Sequence, residues 1–254
     1  VSSLRVMSLG FNWHRKDTER RLQFAEADAV AVAEGISTQK LHHLQHVELI
    51  TNSRSSLEIE QTIKQQISAS EMSDSLLFYF AGHGMLEEVS ATEQALFLVC
   101  KDTDIGDVTN TALDLARLIQ MFEDARSATA LIVLDCCFSG SLGGRSILGP
   151  RYLRRLQTGR PFRRKRIPTP VGAGKSVLSA CGAHQEAAEN SSLGHGVFTH
   201  SFLTAITSKT SSSMSVAAVY SQVQESVLRR TDGKQCPSLY GGDHGAQIPT
   251  IRKK

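Results

Sequence analysis

Apolar residues follow two rhythms along this chain. Short, nearly continuous apolar runs alternate with longer stretches in which an apolar residue recurs every three or four positions. The runs Leu4–Phe11, Val47–Thr51, Ser75–Ala81, Gln94–Val99, Thr129–Asp135 and Ser176–Ala180 predict strands. The longer rhythm predicts helices at Glu19–Glu34, with Leu22, Ala25, Ala29 and Val32 on one face, and at Ser55–Ser68, with Leu57, Ile59, Ile63 and Ile67. It predicts further helices at Thr111–Asp124, Val197–Ser208 and Ser215–Arg230, the last with Val216, Val219, Val223 and Val227 at helical spacing. Thr111 followed by Asp114 resembles a capping box and sets the expected start of its helix. A final strand near Ala246–Ile251 is weakly signalled. Strand and helix in alternation predict an α/β fold: a six-stranded, mainly parallel sheet flanked by helices on both faces.

The rhythm breaks once. Residues 141–175 are rich in Gly, Pro and Arg and show little periodicity, which predicts a long exposed loop. Between Ser141 and Gln185 stand ten Lys or Arg residues and no Asp or Glu, although the net charge of the whole chain is only +3. We therefore expect one domain over 1–254 in three parts: a larger part, 1–140, a basic connector, 141–175, and a smaller part, 176–254, that completes the same sheet. A hydrophobic content of 41% and a charged content of 21% fit a well-cored globular chain. No apolar run reaches the roughly 18–20 residues that cross a bilayer, so no membrane partner is expected. Five cysteines at irregular spacing form no disulfide framework, and Val1-Ser-Ser-Leu-Arg carries no signal-peptide pattern. Together these lead us to expect a cytoplasmic protein; the absent initiator Met suggests an excised domain or a processed product.

Two strand ends carry reactive side chains. Leu76-Leu-Phe-Tyr-Phe-Ala-Gly-His83-Gly84 and Leu131-Ile-Val-Leu-Asp135-Cys136-Cys137-Phe-Ser-Gly each stop at a small-residue turn. The carboxyl ends of parallel strands are where ligands collect, so an imidazole and a thiol would share one rim. That is the minimum equipment of a thiol nucleophile with a base beside it. The bland alternative is an inert buried thiol and a hydrogen-bonded loop histidine.

These blocks resemble the two signatures of caspase-like cysteine peptidases, and most closely those of metacaspases and bacterial caspase-family proteins: an apolar strand ending in Gly-His-Gly, and Asp-x-Cys-x-Ser-Gly. The 54 residues from His83 to Cys137 agree with the His-before-Cys spacing of that family. Gln185-Glu-Ala-Ala-Glu189 and Gly194-His-Gly-Val-Phe-Thr199 extend the resemblance into the smaller part, whereas the animal-caspase block Gln-Ala-Cys-x-Gly is absent. The resemblance implies a caspase-like sandwich. It makes Cys137 the nucleophile, Cys136 a strand residue facing the other side, and His83 the general base or acid. It makes the N–H groups of Gly84 and Cys137 the oxyanion donors. It also implies that Asp135 and Asp28 line the S1 pocket and select a basic P1 residue by charge-assisted hydrogen bonds. Ala81 stands where these relatives often carry Ser.

If the enzyme cuts after Arg or Lys, its own basic connector is a candidate substrate, and we expect self-processing within about 145–175. The connector holds no aromatic residue beyond Tyr152 and Phe162, which argues against a nucleic-acid partner. Other signals fail. Gly172-Ala-Gly-Lys-Ser176 precedes a strand and has Thr169 where a phosphate loop needs its first Gly. Asp102-Thr-Asp-Ile-Gly106-Asp107 has its Gly at position five of a calcium loop and Leu113 at position twelve. The Asp that many metacaspases carry seven residues after the nucleophile is Gly144 here, so no metal and no cofactor are expected. His42, His43 and His46 lack thiols or carboxylates at ligand spacing. Two functions remain in play: a cysteine endopeptidase specific for Arg or Lys, requiring an activating partner or flanking domain if it is latent, and a catalytically silent interaction module of a larger signalling or defence protein.

Overall fold

The computed structural model describes residues 3–12, 21–37, 45–90, 93–137, 145–148, 174–182, 185–208, 213–242, 246–249 and 251–252. A six-stranded sheet forms the centre. Its strands are β1 (Leu4–Gly10), β2 (Gln45–Ile50), β3 (Ser75–Ala81), β7 (Thr129–Asp135), β9 (Lys175–Ser179) and β14 (Ser238–Gly241). They lie in the order β14-β9-β7-β3-β1-β2, and all neighbours are parallel except β14 with β9.

The apolar runs alternate between two layers, as a pleated strand buried on both faces requires. Val6, Leu77, Tyr79, Val133 and Leu178 face one way and pack with α1 (Ala25–Ser37), α5 (Val197–Ile206) and α6 (Val216–Arg230). Met7, Leu9, Phe78, Phe80, Ile132 and Leu134 face the other way, against α2 (Ser56–Ser68) and α4 (Leu115–Glu123). Between these last two helices along the chain runs a short α3 (Val108–Thr111). Three of the helices have the cap chemistry that fixes their first turn. Ser55 and Glu58 form a full capping box on α2, and the Ser215 hydroxyl accepts the Ala218 N–H on α6. On α4 the cap is Asp114, whose carboxylate accepts the N–H groups of Ala116 at 2.7 Å and Arg117 at 3.2 Å. This corrects the expected start at Thr111, which lies a turn earlier and donates its hydroxyl to the Asp107 carbonyl at 2.7 Å.

Two strand assignments also change. Gln94–Leu98, expected in the main sheet, is β5 of a separate four-stranded sheet in the order β6-β5-β4-β8, with β4 at Gly84–Glu88, β6 at Leu113–Asp114 and β8 at Ser146–Leu148. The link from β4 to β5 is too short for a crossover, so they pair antiparallel, closed by Val89 N–H to the Glu93 carbonyl at 3.0 Å. The sixth strand of the main sheet is β14, while Gln247–Pro249 (β15) pairs with Ser213–Ser215 (β13). Small pairs β10 (Glu189–Asn190) with β11 (His195–Gly196), and β12 (Thr207–Ser208) with β16 (Ile251–Arg252), complete the described strands. On α2, Leu57 is 61% exposed, and Ser56 is buried beside Ile59 and Ile63. No helix among the described residues is long and apolar enough to cross a membrane.

Gly10 ends β1 under the first turn of α1. A Cβ there would lie 2.3 Å from the Ala25 carbonyl oxygen and 2.6 Å from the Ala29 Cβ. The glycine therefore sets how close α1, which carries Asp28, comes to the sheet. Gly10→Ala should lower stability by about 1–3 kcal/mol, the usual cost of overpacking. A urea midpoint unchanged from wild type would show that α1 can move away freely.

Candidate functional site

The register of the sheet builds the site. Ala81 on β3 pairs with Asp135 on β7, and Gly82 N–H donates to the Asp135 carbonyl at 3.3 Å. His83 and Cys137 each lie two residues beyond that pair, so they leave adjacent strands at the same level. Both are buried, with 3% and 1% of their surface exposed. Alternation puts Cys136 in the α2/α4 layer and Cys137 in the α1/α5/α6 layer, as the sequence implied.

The Cys137 thiol is acidified. Its pKa lies below the ordinary value chiefly through the neighbouring Cys181 thiol, whose single proton is shared between Cys137 and the Cys136 carbonyl, 3.7 Å from its Sγ. Burial opposes the shift, and the N–H groups of Ala187 and Arg145 support it. The partner shows the reverse: Cys181 is pushed well up, first by that same hydrogen bond and then by burial. Cys136, enclosed and without such help, is pushed well up by burial. The two adjacent thiols therefore differ in character although they are neighbours in the chain, and only Cys137 is poised toward thiolate.

Asp28 and Asp135, distant in sequence, meet in one fully buried cluster. What joins them is Arg145, also fully buried. Its Nη1 lies 2.9 Å from Asp135 Oδ2, and its Nη2 lies 2.7 Å from Asp28 Oδ2 and 3.1 Å from Glu189 Oε1. Nη1 also donates to the Asp135 carbonyl at 3.0 Å. Burial weakens the guanidinium's hold on its proton, but Asp135 and Asp28 more than reverse this and keep it charged. Asp135 is pushed up to about 6 by burial; Arg145 and Thr199 pull it down, and Asp28 and Glu189 push it further up. Thr199 donates its hydroxyl to Asp135 Oδ2, which leaves the Tyr79 hydroxyl to donate to Thr199. Asp28 Oδ1 contacts His195 Nδ1 at 2.7 Å, and Asp28 also accepts the Gly196 N–H at 3.1 Å. Glu189 accepts the N–H groups of Gln23 at 2.9 Å and Phe24 at 3.0 Å, just ahead of α1.

The floor of this pocket is a glycine for a steric reason. A Cβ on Gly196 would lie 2.7 Å from Arg145 Nη2 and 2.8 Å from Asp135 Oδ2. The backbone of Arg145 is held as tightly as its side chain: its carbonyl accepts the Gly84 N–H at 2.9 Å and the Cys137 N–H at 3.3 Å. These are the two N–H groups that the sequence assigned to an oxyanion. Directly after Arg145, β8 runs parallel to β4, with Ser146 opposite Gly84.

Asp28 and Asp135 thus meet through the Arg145 side chain, Gly84 and Cys137 share the Arg145 carbonyl, and His83 stands level with Cys137 at the end of the next strand. The sequence missed Glu189, Thr199, His195 and Gly196, which it held only as parts of motifs, and it placed Arg145 in an exposed loop. Arg145 is fully buried instead, because three carboxylates compensate its charge. The rest of the connector, 141–144 and 149–173, lies outside the described residues.

Comparison with known proteins agrees with this architecture. The model of the caspase domain family matches residues 9–244. Among solved structures, a protein of Geobacter sulfurreducens superposes with a TM-score of 0.66 at 16% identity, covering 95% of this chain and 94% of that one. Caspase-1 from Spodoptera frugiperda superposes with a TM-score of 0.59 at 12% identity, covering 99% of this chain and 89% of that one. No curated protein matches the chain in sequence. The six-stranded sheet, its two helical layers and a family match over nearly the whole length give one conclusion: this chain has the α/β caspase fold and belongs to the caspase domain family, a family of cysteine peptidases.

Proposed function

We propose that the protein is a cysteine endopeptidase that cleaves after Arg, and less efficiently after Lys. One observation carries this reading: a guanidinium is enclosed by Asp28, Asp135 and Glu189, while the carbonyl of the same residue rests on the N–H groups of Gly84 and Cys137. A P1 arginine needs this arrangement, with its charge compensated at one end and its scissile carbonyl polarised at the other. Cys137 supplies the nucleophile, and its lowered pKa raises the thiolate fraction at neutral pH. His83, at the matching level of the next strand, handles the protons. The two N–H groups stabilise the oxyanion that forms on attack.

Arg should exceed Lys, because the two terminal guanidinium nitrogens each have their own carboxylate partners and an ammonium is a single point. A P1 Asp would meet three acids and be repelled. With Arg, Lys and Asp fluorogenic peptides, we expect that order of kcat/KM and no turnover by Cys137→Ala. The assay is run on wild type and on Arg145→Gly, which vacates the pocket. Absence of turnover in both would overturn the peptidase reading in favour of an interaction module. Asp135→Asn should lower kcat/KM for Arg peptides by about 10- to 100-fold, the worth of a charge-assisted hydrogen bond.

The pocket should also respond to pH. Asp135 is ionised above about 6 and neutral below it. A guanidinium binds the ionised form better and pulls the pKa of Asp135 down, so the vacant pocket titrates above the occupied one; KM for Arg peptides should therefore rise as the pH falls toward about 6, and Asp135→Asn should lose that limb. A KM flat from pH 5 to 7.5 would contradict the assignment.

The hydrogen bond from Cys181 gives a separate test. Cys181→Ala removes the donor and should move the alkylation midpoint of Cys137 by iodoacetamide to higher pH, while Cys181→Ser restores a donor and should move it back. Identical midpoints in all three proteins would exclude Cys181 as the acidifying group.

A further inference from the structure

We propose that Thr199 and Tyr79 are positioning residues of the P1 pocket: their hydroxyls form a one-way donor chain onto Asp135 that keeps this acid ready for a guanidinium when the pocket is between cations. This rests on the peptidase reading and goes one layer behind it. Thr199, Tyr79 and Asp135 are all fully buried. A carboxylate has no proton to give, so the Thr199 hydroxyl donates to Asp135 Oδ2 and accepts from the Tyr79 hydroxyl. Both O–H dipoles then point toward the negative charge. Tyr79 stands on β3 two residues before Ala81, the partner of Asp135, and Thr199 stands in the first turn of α5. Chance pairing of two buried hydroxyls does not account for this. Ser201 and Thr204 of the same helix return their hydroxyls to the carbonyls four residues back, at 2.9 and 2.8 Å. Thr199 has no helical carbonyl four residues behind it, and its hydroxyl is turned on Asp135 instead.

Of the three pocket acids, Asp135 depends most on such a chain once a cation has left. Asp28 keeps the Gly196 N–H and His195 Nδ1, and Glu189 keeps the N–H groups of Gln23 and Phe24. The Asp135 carboxylate keeps only the Thr199 hydroxyl, since its Oδ1 has no partner among the described residues. The titratable and charged groups around it are Arg145, Asp28 and Glu189 in the pocket, Tyr79 on β3, and His195 on the far side of Asp28. The thiols of Cys136 and Cys181 lie along the same strand ends, with Cys137 next in the chain. Burial opposes ionisation of Asp135 most, Arg145 favours it, Asp28 opposes it, Thr199 favours it and Glu189 opposes it. Without the cation, Thr199 is the one remaining favourable group. Loss of its hydroxyl should therefore raise the pH at which the vacant pocket takes up a proton and releases a guanidinium.

The test has two readouts, followed from about pH 5 to 8.5. One is the affinity of agmatine, a small guanidinium, for Arg145→Gly, whose pocket is vacant, by calorimetry. The other is KM for an Arg peptide in the wild-type background, which does not require Arg145→Gly to fold. Thr199→Val keeps the side-chain shape and should move the weakening of both upward by about half a pH unit or more, a loss of about threefold near neutrality that closes toward pH 8.5. The effect should fall on KM more than on kcat. Thr199→Ser returns a hydroxyl and should return the limb, while Tyr79→Phe removes only the outer donor and should move it less. Because Thr199→Val leaves the Tyr79 hydroxyl buried without its partner, Thr199→Val with Tyr79→Phe is measured beside it and should show the same shift. A loss that is equal at every pH would mark a merely structural role and overturn the inference. So would limbs that coincide in Thr199→Val and its parent while Asp135→Asn loses its own, a result that leaves the peptidase reading standing. A limb that persists in Asp135→Asn and vanishes in His195→Asn would assign the titration to His195 and overturn the inference. The expected shift in agmatine binding, with no hydrolysis of any Arg peptide, would uphold the hydroxyl chain and overturn the peptidase reading. Neither binding nor hydrolysis at any pH would overturn both.

Discussion

The charge cluster of Arg145 with Asp28, Asp135 and Glu189 is the interaction on which the rest of this structure depends. It ties together the first turn of α1, the end of β7, the start of β8 and the short strand β10. Ionised groups taken out of water cost several kcal/mol each, and only close pairing and further hydrogen bonds offset that. Here the offset is detailed. Asp28 receives a backbone N–H and an imidazole, Glu189 receives two backbone N–H groups, and Asp135 receives a threonine hydroxyl. Asp135 is the least compensated: its Oδ1 has no partner among the described residues, in keeping with a pKa raised by burial.

A sheet of this kind delivers such a cluster cheaply because its register is fixed by burial on both faces. A slip of one residue in β7 would exchange Cys136 for Cys137, Leu134 for Asp135, and the two helical layers with them. The same alternation that packs Val133 against one layer and Leu134 against the other therefore determines which of two adjacent cysteines reaches the rim. Core packing and the placing of Cys137 are one constraint.

Much of this could be read from the residues. The parallel strands are continuous apolar runs, and the caps of α2 and α6 are local Ser chemistry. His83 and Cys137 stand at turns that only make sense as strand ends. What was not legible has a common physical cause. The pairing of β5 with β4 rather than with the main sheet depends on a short hairpin link, and β14 joins as an antiparallel edge with a partly exposed pattern that periodicity does not mark. Glu189, Thr199 and Gly196 acquire meaning only from what they face across the fold. Gly196 in particular is informative through the atom it lacks, since a methyl group there would press on both Arg145 and Asp135. Arg145 was hidden for the opposite reason: nine other basic residues surround it in a stretch without acids, and nothing local separates it from them.

That difference bears on how selectivity arises. A pocket of three acids with no cation is an unstable thing to fold, because removing one partner of a buried pair typically costs about 3–5 kcal/mol. A guanidinium in the pocket is therefore part of the folded core as much as it is a ligand. The chain meets that need with its own Arg145, and under the proposed reading a substrate that replaces it brings the same charge, the same planar fork and a carbonyl in the same place. Specificity and stability then draw on one set of contacts. A substitution of Asp28, Asp135 or Glu189 that weakens the hold on a guanidinium therefore also loosens the junction of α1, β7 and β10.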